Sequence, residues 1–362
     1  MGGKKIVLTG GGTAGHVTAN IALLPALAEA GYEVYYIGGA KGIERELTAP
    51  LGIKYYGISA GKLRRRPSFK NLCKNIADIF NVMKGYRQSK KIIGEIMPEV
   101  IFSKGGFVSV PVVLAAKKKR IPIIIHESDL TPGLANRIAF KYASRICVTF
   151  PETLGHVPKN KGVYTGTPIR PELFQGSKDT AVKICGFDAN DNRPTVLVTG
   201  GSQGSAAVNS CVRQALPELL KKYKVIHLCG KGNTVYLSMP GYFQLEYASD
   251  EMPHLLALSE LVVSRAGANT ICELLELRKP HLLIPLTKKG SRGDQLENAA
   301  SFEKQGFSMV LPEEKINKLP ECLDILCANR EGYIKKMEES ADDGGCSGLR
   351  RTLETINGLI GL

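Results

Sequence analysis

The sequence predicts an α/β protein made of two doubly wound, Rossmann-like parallel-sheet domains. Three observations carry this expectation. Short apolar runs alternate with helix-like segments along the chain, as in strand–helix–strand units. The runs are almost continuously apolar, as strands covered on both faces are. A strand, a glycine loop and a helix start occur together twice, as KIVLTGGGTAGHVTAN near the N-terminus and as TVLVTGGSQGSAAVN at 195–209.

In the first half KKIVLTG, YEVYYIG, IKYYGI, EVIFSKG, IPIIIHE, RICVTF and GVYTGT read as strands, with amphipathic segments such as 19–30 and 70–95 between them. In the second half TVLVTGG, KVIHLCG, YFQLEYA, LVVSRAG, PHLLIPL and FSMVLPE do the same. A length of 362 residues suits two domains of roughly 150–200 residues each. The boundary is expected between about 165 and 193, where TGTPIRPELFQGS and GFDANDNRP are rich in Pro, Gly and Asn. A cleft between two such domains is the expected ligand site.

Composition narrows the classes. With 43% hydrophobic and 23% charged residues, a globular rather than a disordered chain is expected. No apolar run reaches the ~18 residues of a membrane span. MGGKKIVL lacks the apolar core and cleavage site of a signal peptide, so a cytoplasmic protein is expected. Nine cysteines stand singly at 73, 147, 185, 211, 229, 272, 322, 327 and 346, with no C-x-x-C; neither a disulfide framework nor a zinc site is expected. Charge is unevenly spread. Residues 1–164 hold 25 Lys+Arg and 10 Asp+Glu, a balance of +15, while 165–362 hold 23 and 24, a balance of −1. A basic half suits nucleic acid, an anionic membrane surface or a polyanionic substrate. Sparse aromatics, no tryptophan and no nucleic-acid motif speak against the first.

Gly10, Gly12 and Gly15 match G-x-G-x-x-G. Backbone N–H groups at a helix start, reached through glycines, make an anion site without naming the anion. A dinucleotide fold also needs an acid at the end of the second strand, and YEVYYIGGAKG ends in Gly38-Gly39 without one. No Gly-Lys-Ser/Thr follows either loop, which leaves no Walker pattern. A tight turn without a ligand stays open. His16 stands where the helix begins. The helix dipole disfavours its charged form, so a neutral imidazole beside an anion loop can act as general base. It can also simply hold the loop in shape.

SRAGANTICELLEL at 264–277 is more specific. Arg265 ends a strand, Gly267 permits a turn and Asn269-Thr270 opens a helix. Such a helix start, with Thr270, can meet the phosphates of a nucleoside diphosphate, with Arg265 as a charge-assisted donor. Glu273, about one turn in, can accept both ribose hydroxyls; the alternative is a first-turn carboxylate that favours the dipole. Asp294, Gln295 and Asn298 follow a loop after a buried strand. They offer the paired donors and acceptors that sugar diols need, or are simply a polar helix start.

GGGTAGH, HESDLTPGLAN at 126–136, TGTPIRPEL at 165–173, GGSQGS, SRAGANTICE and GDQLENA occur in the order found in the MurG glycosyltransferases. The resemblance runs from about residue 5 to 350. It implies the GT-B fold, with two domains facing a cleft: 1–164 as the acceptor and membrane-associating domain, 165–344 as the UDP-sugar domain, and a C-terminal helix of about 345–362 packed back on the first. It implies inverting transfer of N-acetylglucosamine from UDP-N-acetylglucosamine to undecaprenyl-diphosphate-N-acetylmuramoyl-pentapeptide, which forms lipid II for peptidoglycan. That places the enzyme among the proteins of cell wall biogenesis, cell shape and cell division. Gly11, Gly12, Thr13, Ala14, Gly15 and His16 would face the acceptor diphosphate with Gly105 and Gly106, and His16 or Asp129 would take the proton. The donor would be held by Thr13, Gly15, Arg170, Ser202, Gln203, Ser249, Arg265, Ala268, Asn269, Thr270, Glu273, Asp294 and Gln295. No cofactor and no metal would be required, since no D-x-D motif ends a strand. Some positions depart from the family pattern. Ser128-Asp129 stands for Gln-Asn, Phe107 for Tyr, Asp294 for Gln, and Ser249 for a more apolar residue near the uracil.

KLRRRPSFKNLCKNIADIFNVMKGYRQSKK at 62–91 reads as a basic amphipathic helix. Phe69, Leu72, Ile76, Ile79, Phe80 and Met83 line one face, and Arg64, Arg65 and Arg66 precede it. An anionic membrane surface on the cytoplasmic side and a polyprenyl-diphosphate lipid are the expected partners, with other cell-wall synthesis proteins and no nucleic acid. A core-facing helix with a solvated basic rim is the alternative. Rival functions are a diacylglycerol glucosyltransferase, a UDP-N-acetylglucosamine 2-epimerase of similar fold, and a membrane-surface adaptor with a dead nucleotide site.

Overall fold

A computed structural model describes residues 3–61, 69–201, 203–287, 293–340 and 347–361, with side chains omitted for 69–77 and 347. The chain divides into two compact units, one of Met1–Arg170 with Cys346–Leu362, the other of Pro171–Gly345.

The first unit holds β1 (Lys4–Thr9), β2 (Tyr32–Gly39), β3 (Lys54–Ile58), β4 (Val100–Ser103), β5 (Ile123–Glu127), β6 (Arg145–Val148) and β7 (Gly162–Tyr164). They form one sheet in the order β3-β2-β1-β4-β5-β6-β7, with every pairing parallel. The strands are apolar throughout because both faces are covered. Ile6, Leu8, Phe102 and Ile124 point to one side, against Leu23, Leu27 and Ile356. Val7, Ile101, Ile125 and Ile146 point to the other, against Val112, Ala116 and Ile93. Burying each such side chain contributes roughly 1.5–3 kcal/mol. Ile356 belongs to the C-terminal helix Ser347–Leu359. The helix is also tied down by Tyr32 Oη, which donates to Asn357 Oδ1 at 2.7 Å.

The second unit holds β8 (Thr195–Thr199), β9 (Lys224–Leu228), β10 (Tyr242–Leu245), β11 (Leu261–Ser264), β12 (His281–Leu283) and β13 (Ser308–Val310), again all parallel, in the order β10-β9-β8-β11-β12-β13. Each apolar run expected to be a strand is one. The stretch expected to hold a linker is partly ordered into this unit. Lys178–Cys185 is a helix, capped where Ser177 Oγ accepts from Thr180 N at 3.3 Å and stopped by left-handed Gly186 at φ 63.

Two buried histidines hold the second sheet together. His281 Nδ1 lies 2.6 Å from the Lys279 carbonyl and Nε2 lies 2.6 Å from Ser308 Oγ, linking β12 to β13. His227 Nε2 is 3.0 Å from Asn209 Oδ1 and Nδ1 is 3.1 Å from Tyr242 Oη. Burial pushes both pKa values from 6.5 down to about 4. The unfolded chain therefore takes up these protons first as pH falls. The stabilisation is complete above about pH 6.5 and is lost between 6.5 and 4, at up to ~1.4 kcal/mol per pH unit for each histidine. Urea midpoints for this unit should fall steadily across that window, and both imidazoles should titrate near pH 4 by NMR. A flat midpoint with titration at 6.5 would contradict the assignment.

Candidate functional site

Strand order reverses between β1 and β4 in one sheet and between β8 and β11 in the other. Loops leaving the C-terminal ends of such strand pairs diverge and leave room for a ligand. Both glycine loops emerge there.

In the first unit the Thr9–Ser103 pair closes the β1–β4 ladder. Gly10–Thr13 then turns into helix Ala14–Ala22, where Thr13 stands extended at the N-cap without a side-chain capping bond and the first turn carries no acid. Gly12 is left-handed at φ 84, and Phe107 packs so close that a Cβ there would lie 2.7 Å from its ring. Any side chain at Gly106, itself at φ 81, would collide with the Gly11 carbonyl. Buried Asn20 and Tyr36 brace the turn. Tyr36 Oη donates to the Gly10 carbonyl at 2.7 Å, and Asn20 Nδ2 donates to the Thr9 carbonyl at 3.3 Å.

An acid does reach the end of β2, although the strand itself supplies none. Glu44, from helix Ile43–Thr48, is fully buried. Its carboxylate accepts from Gly39 N at 2.7 Å and from Gly12 N at 3.3 Å. A Cβ at Gly11, Gly38, Gly39 or Gly42 would strike this side chain. The carboxylate is thus spent on backbone donors and is closed to a ribose, so the dinucleotide reading gains nothing from it. It also accepts from Gly12 N, within the loop expected to face a diphosphate.

The β5 end completes this cluster. Glu127, 3% exposed, accepts from Asp129 N, Gly133 N and Asn136 Nδ2 at 3.0, 3.0 and 2.9 Å. It thereby shapes the 128–133 loop and leaves half-buried Asp129 beside it. His126 is fully buried between Lys104 Nζ, 2.9 Å from Nδ1, and the Gly166 carbonyl, 2.8 Å from Nε2. Its pKa is held well below 6.5 by burial first, then by the charges of Lys104 and His16. His16, half-buried, is therefore electrostatically coupled to this group. Gly11 to His16, Gly105, Gly106 and Asp129 all lie at the ends of β1, β4 and β5.

In the second unit Ser205 Oγ caps helix Ala206–Leu219, accepting from Val208 N at 3.3 Å. The loop sits tightly on the β9 turn, because Gly204 and Gly230 leave no room for side chains. Arg265, 8% exposed, donates to Ser205 Oγ at 2.6 Å and the Ile284 carbonyl at 3.0 Å, and pairs with Glu313 at 2.5 Å. The guanidinium thus joins two loops through its terminal nitrogens, while its buried Nε has no hydrogen-bond partner among the described residues. Helix Ala268–Glu276 starts after Gly267 with no side-chain cap and no acid in its first turn. Glu273 lies beyond that turn, so dipole compensation does not account for it. Asn269, Thr270 and Glu273 are half-buried and Ala268 is buried. Buried Asn298 donates to the Ala266 carbonyl at 3.3 Å, and Gln295 Oε1 accepts from Leu286 N at 3.0 Å. These bonds fix helix Asp294–Lys304, which opens with Asp294, to the same strand ends. Gln203 and Ser249 are exposed on neighbouring loops.

Thr13, Gly15 and Arg170, also expected at the donor, belong to the first unit. Ser202 and Arg64, Arg65 and Arg66 lie outside the described residues, as do the side chains of Phe69, Leu72 and Ile76. Among the described residues no group of three or more His, Cys, Asp or Glu is placed to hold a metal ion. Glu44, Lys104 and Glu127 are structural members of the site that no motif in the sequence marks. The one signal for Glu44 is the run of glycines around it.

Two parallel-sheet units, each with a helix start at its switch point, have the GT-B fold. The models for the glycosyltransferase family 28 N-terminal and C-terminal domains match residues 6–148 and 195–348. The chain is 57% identical to the UDP-N-acetylglucosamine–N-acetylmuramyl-(pentapeptide) pyrophosphoryl-undecaprenol N-acetylglucosamine transferase of Lachnospira eligens, over 93% of this chain and 95% of that protein. It is 53% identical to the transferase of the same name from Clostridium tetani, over 97% and 98%. The chain belongs to the MurG family of these transferases. Among solved structures, Acinetobacter baumannii MurG matches with TM-score 0.72 at 20% identity, over 98% of this chain and 99% of that one. The UDP-GlcNAc 2-epimerase of Neisseria meningitidis matches with 0.69 at 15%, over 98% and 100%. The backbone alone does not separate transferase from epimerase; the sequence does.

Replacing Glu44 with Ala removes the acceptor of the buried Gly39 N–H and of the Gly12 N–H, and leaves a cavity where the side chain was. The loss should be about 3 kcal/mol of stability, read by chemical denaturation of the first unit. A variant as stable as the parent would show that the carboxylate does not organise the loop.

Proposed function

We propose that the chain transfers N-acetylglucosamine from UDP-N-acetylglucosamine, with inversion, to the lipid-linked muramoyl-pentapeptide diphosphate, forming lipid II. The observation that carries this reading is identity above 50% to curated transferases along nearly the whole chain. An acceptor hydroxyl attacks the anomeric carbon, the bond from that carbon to the UDP oxygen breaks, and UDP leaves with the electron pair. The hydroxyl proton goes to a base, for which His16 and Asp129 are the candidates. Charge growing on the departing diphosphate is met by the uncapped start of helix Ala268–Glu276, and Glu273 binds the ribose hydroxyls. Asp294 and Gln295 take the sugar, and Ser249 the uracil region. The first glycine loop receives the acceptor diphosphate. UDP release that depends on the muramoyl lipid supports this reading. Isomerised sugar nucleotide without acceptor supports the epimerase, release with diacylglycerol another glycosyltransferase, and no turnover an adaptor.

A polyprenyl acceptor lies in a bilayer, and the first unit carries a face suited to one. Among the described residues no helix is long and apolar enough to cross a membrane. Helix Phe69–Ile96 divides its apolar residues between two environments. Ile93 and Ile96 are buried in the core, whereas Ile79, Phe80 and Met83 are 60%, 71% and 49% exposed. A groove of about 670 Å³ beside them is lined by the apolar and aromatic Val82, Met83, Tyr86, Leu114 and Tyr142 and by the basic Lys117, Lys118 and Arg120. Exposed apolar residues beside a cluster of basic ones fit an anionic membrane surface, on the cytoplasmic face where UDP-sugars are available. This is the reading for a peripheral enzyme that serves cell shape and division beside other cell-wall proteins.

Two measurements check the roles. Glu273→Ala should raise the donor KM roughly 10–100-fold with the acceptor KM unchanged; an unchanged donor KM removes the ribose assignment. Phe80→Asp should weaken sedimentation with anionic vesicles, and undiminished binding would move the membrane face elsewhere.

A further inference from the structure

We propose that Lys104 is a positioning residue for the acceptor half of the reaction. Its buried ammonium fixes His126 as a neutral strut protonated on Nε2, and sets a cation under the first glycine loop. The second part rests on reading that loop as the acceptor-diphosphate site.

Lys104 follows β4 directly, on the far side of the switch point from the glycine loop. Its backbone N–H donates to the Thr9 carbonyl at 2.9 Å. Its Cβ lies 3.1 Å from the position a Cβ at Gly10 would take, so its side chain begins against the loop's first residue. The side chain is fully buried. Burying an ammonium is costly unless it is well bonded. Here Nζ lies 2.9 Å from His126 Nδ1 and 2.8 Å from Ser128 Oγ.

The tautomer of His126 follows from donor arithmetic. An ammonium only donates, so His126 Nδ1 must offer its lone pair. The single ring proton then sits on Nε2, which donates to the Gly166 carbonyl at 2.8 Å. Both ring nitrogens are thereby used inside the protein. His126 cannot take a substrate proton without breaking one of two buried bonds, and its depressed pKa agrees with this. What the ring does is tie β5 to Gly166, a left-handed glycine at φ 74 whose carbonyl also accepts from Thr165 Oγ1 at 2.9 Å. Lys104 thus braces three chain segments at the floor of the β1–β4 crevice. It places a positive charge where water is excluded, and there charge acts over longer range. A diphosphate received by that loop gains from that charge.

Lys104→Met keeps the length and removes the charge and the donors. In long-range proton–nitrogen spectra of the wild-type protein at pH 7, His126 should show a protonated Nε2 and an accepting Nδ1. In Lys104→Met the Nδ1 resonance should shift away from its hydrogen-bonded value. Kinetically, the acceptor KM should rise about tenfold, the effect of one lost charge-assisted interaction, with the donor KM unchanged. A wild-type His126 protonated on Nδ1 would overturn the proposal, as would a folded Lys104→Met enzyme with wild-type acceptor KM or a rise confined to the donor. Should that variant fail to fold, the wild-type spectrum decides together with Ser128→Ala, which leaves the Lys104–His126 bond and must keep the Nε2 tautomer. Wild-type protein that shows no transfer to the lipid acceptor defeats the functional reading instead, and the spectra still test the tautomer.

Discussion

Everything functional in this protein depends on parallel strand pairing at the points where strand order reverses. Parallel pairing sends every strand's C-terminal end to the same edge of its sheet. Successive helices start at that edge, so their N-terminal partial charges collect there. Between β1 and β4, and again between β8 and β11, the two loops leave in opposite directions and the edge opens. Backbone must then approach backbone closely, and Gly11 against Gly106 and Gly204 against Gly230 are the places where no side chain fits.

Such loops would be floppy without support, and the support comes from buried polar side chains. Glu44 gathers backbone donors under the first turn, Glu127 gathers three donors under the 128–133 loop, and Arg265 joins the second glycine loop to the strand beside it. Each is a charged group removed from water, a state that is stable only when its hydrogen bonds are nearly complete. Rigid loops of this kind suit a reaction whose only demands are a held diphosphate, a proton acceptor and an aligned hydroxyl.

The strands and both glycine loops were legible in the sequence, because unbroken apolar runs and glycine spacing are local signals. The cluster from Ser264 to Glu273 was legible for the same reason. The supporting residues were not. Glu44 is separated from Gly12 by 32 positions and Lys104 from His126 by 22, and each looked like ordinary helix or strand-end charge. The partners of Arg265 are equally remote: Ser205, Ile284 and Glu313 come from distant segments that no spacing announces.

By itself the sequence determined the fold class, the order of the elements, the two helix starts and, through motif order, the family. These depend on periodicity and neighbour chemistry, which a linear chain displays. Tertiary structure alone decided which charged groups are spent on the backbone, which ring nitrogen of His126 carries its proton, and which apolar residues of helix Phe69–Ile96 remain outside the core. Those outcomes turn on what lies within about 3 Å after folding, and hydrogen bonds of that length join residues that the chain keeps far apart.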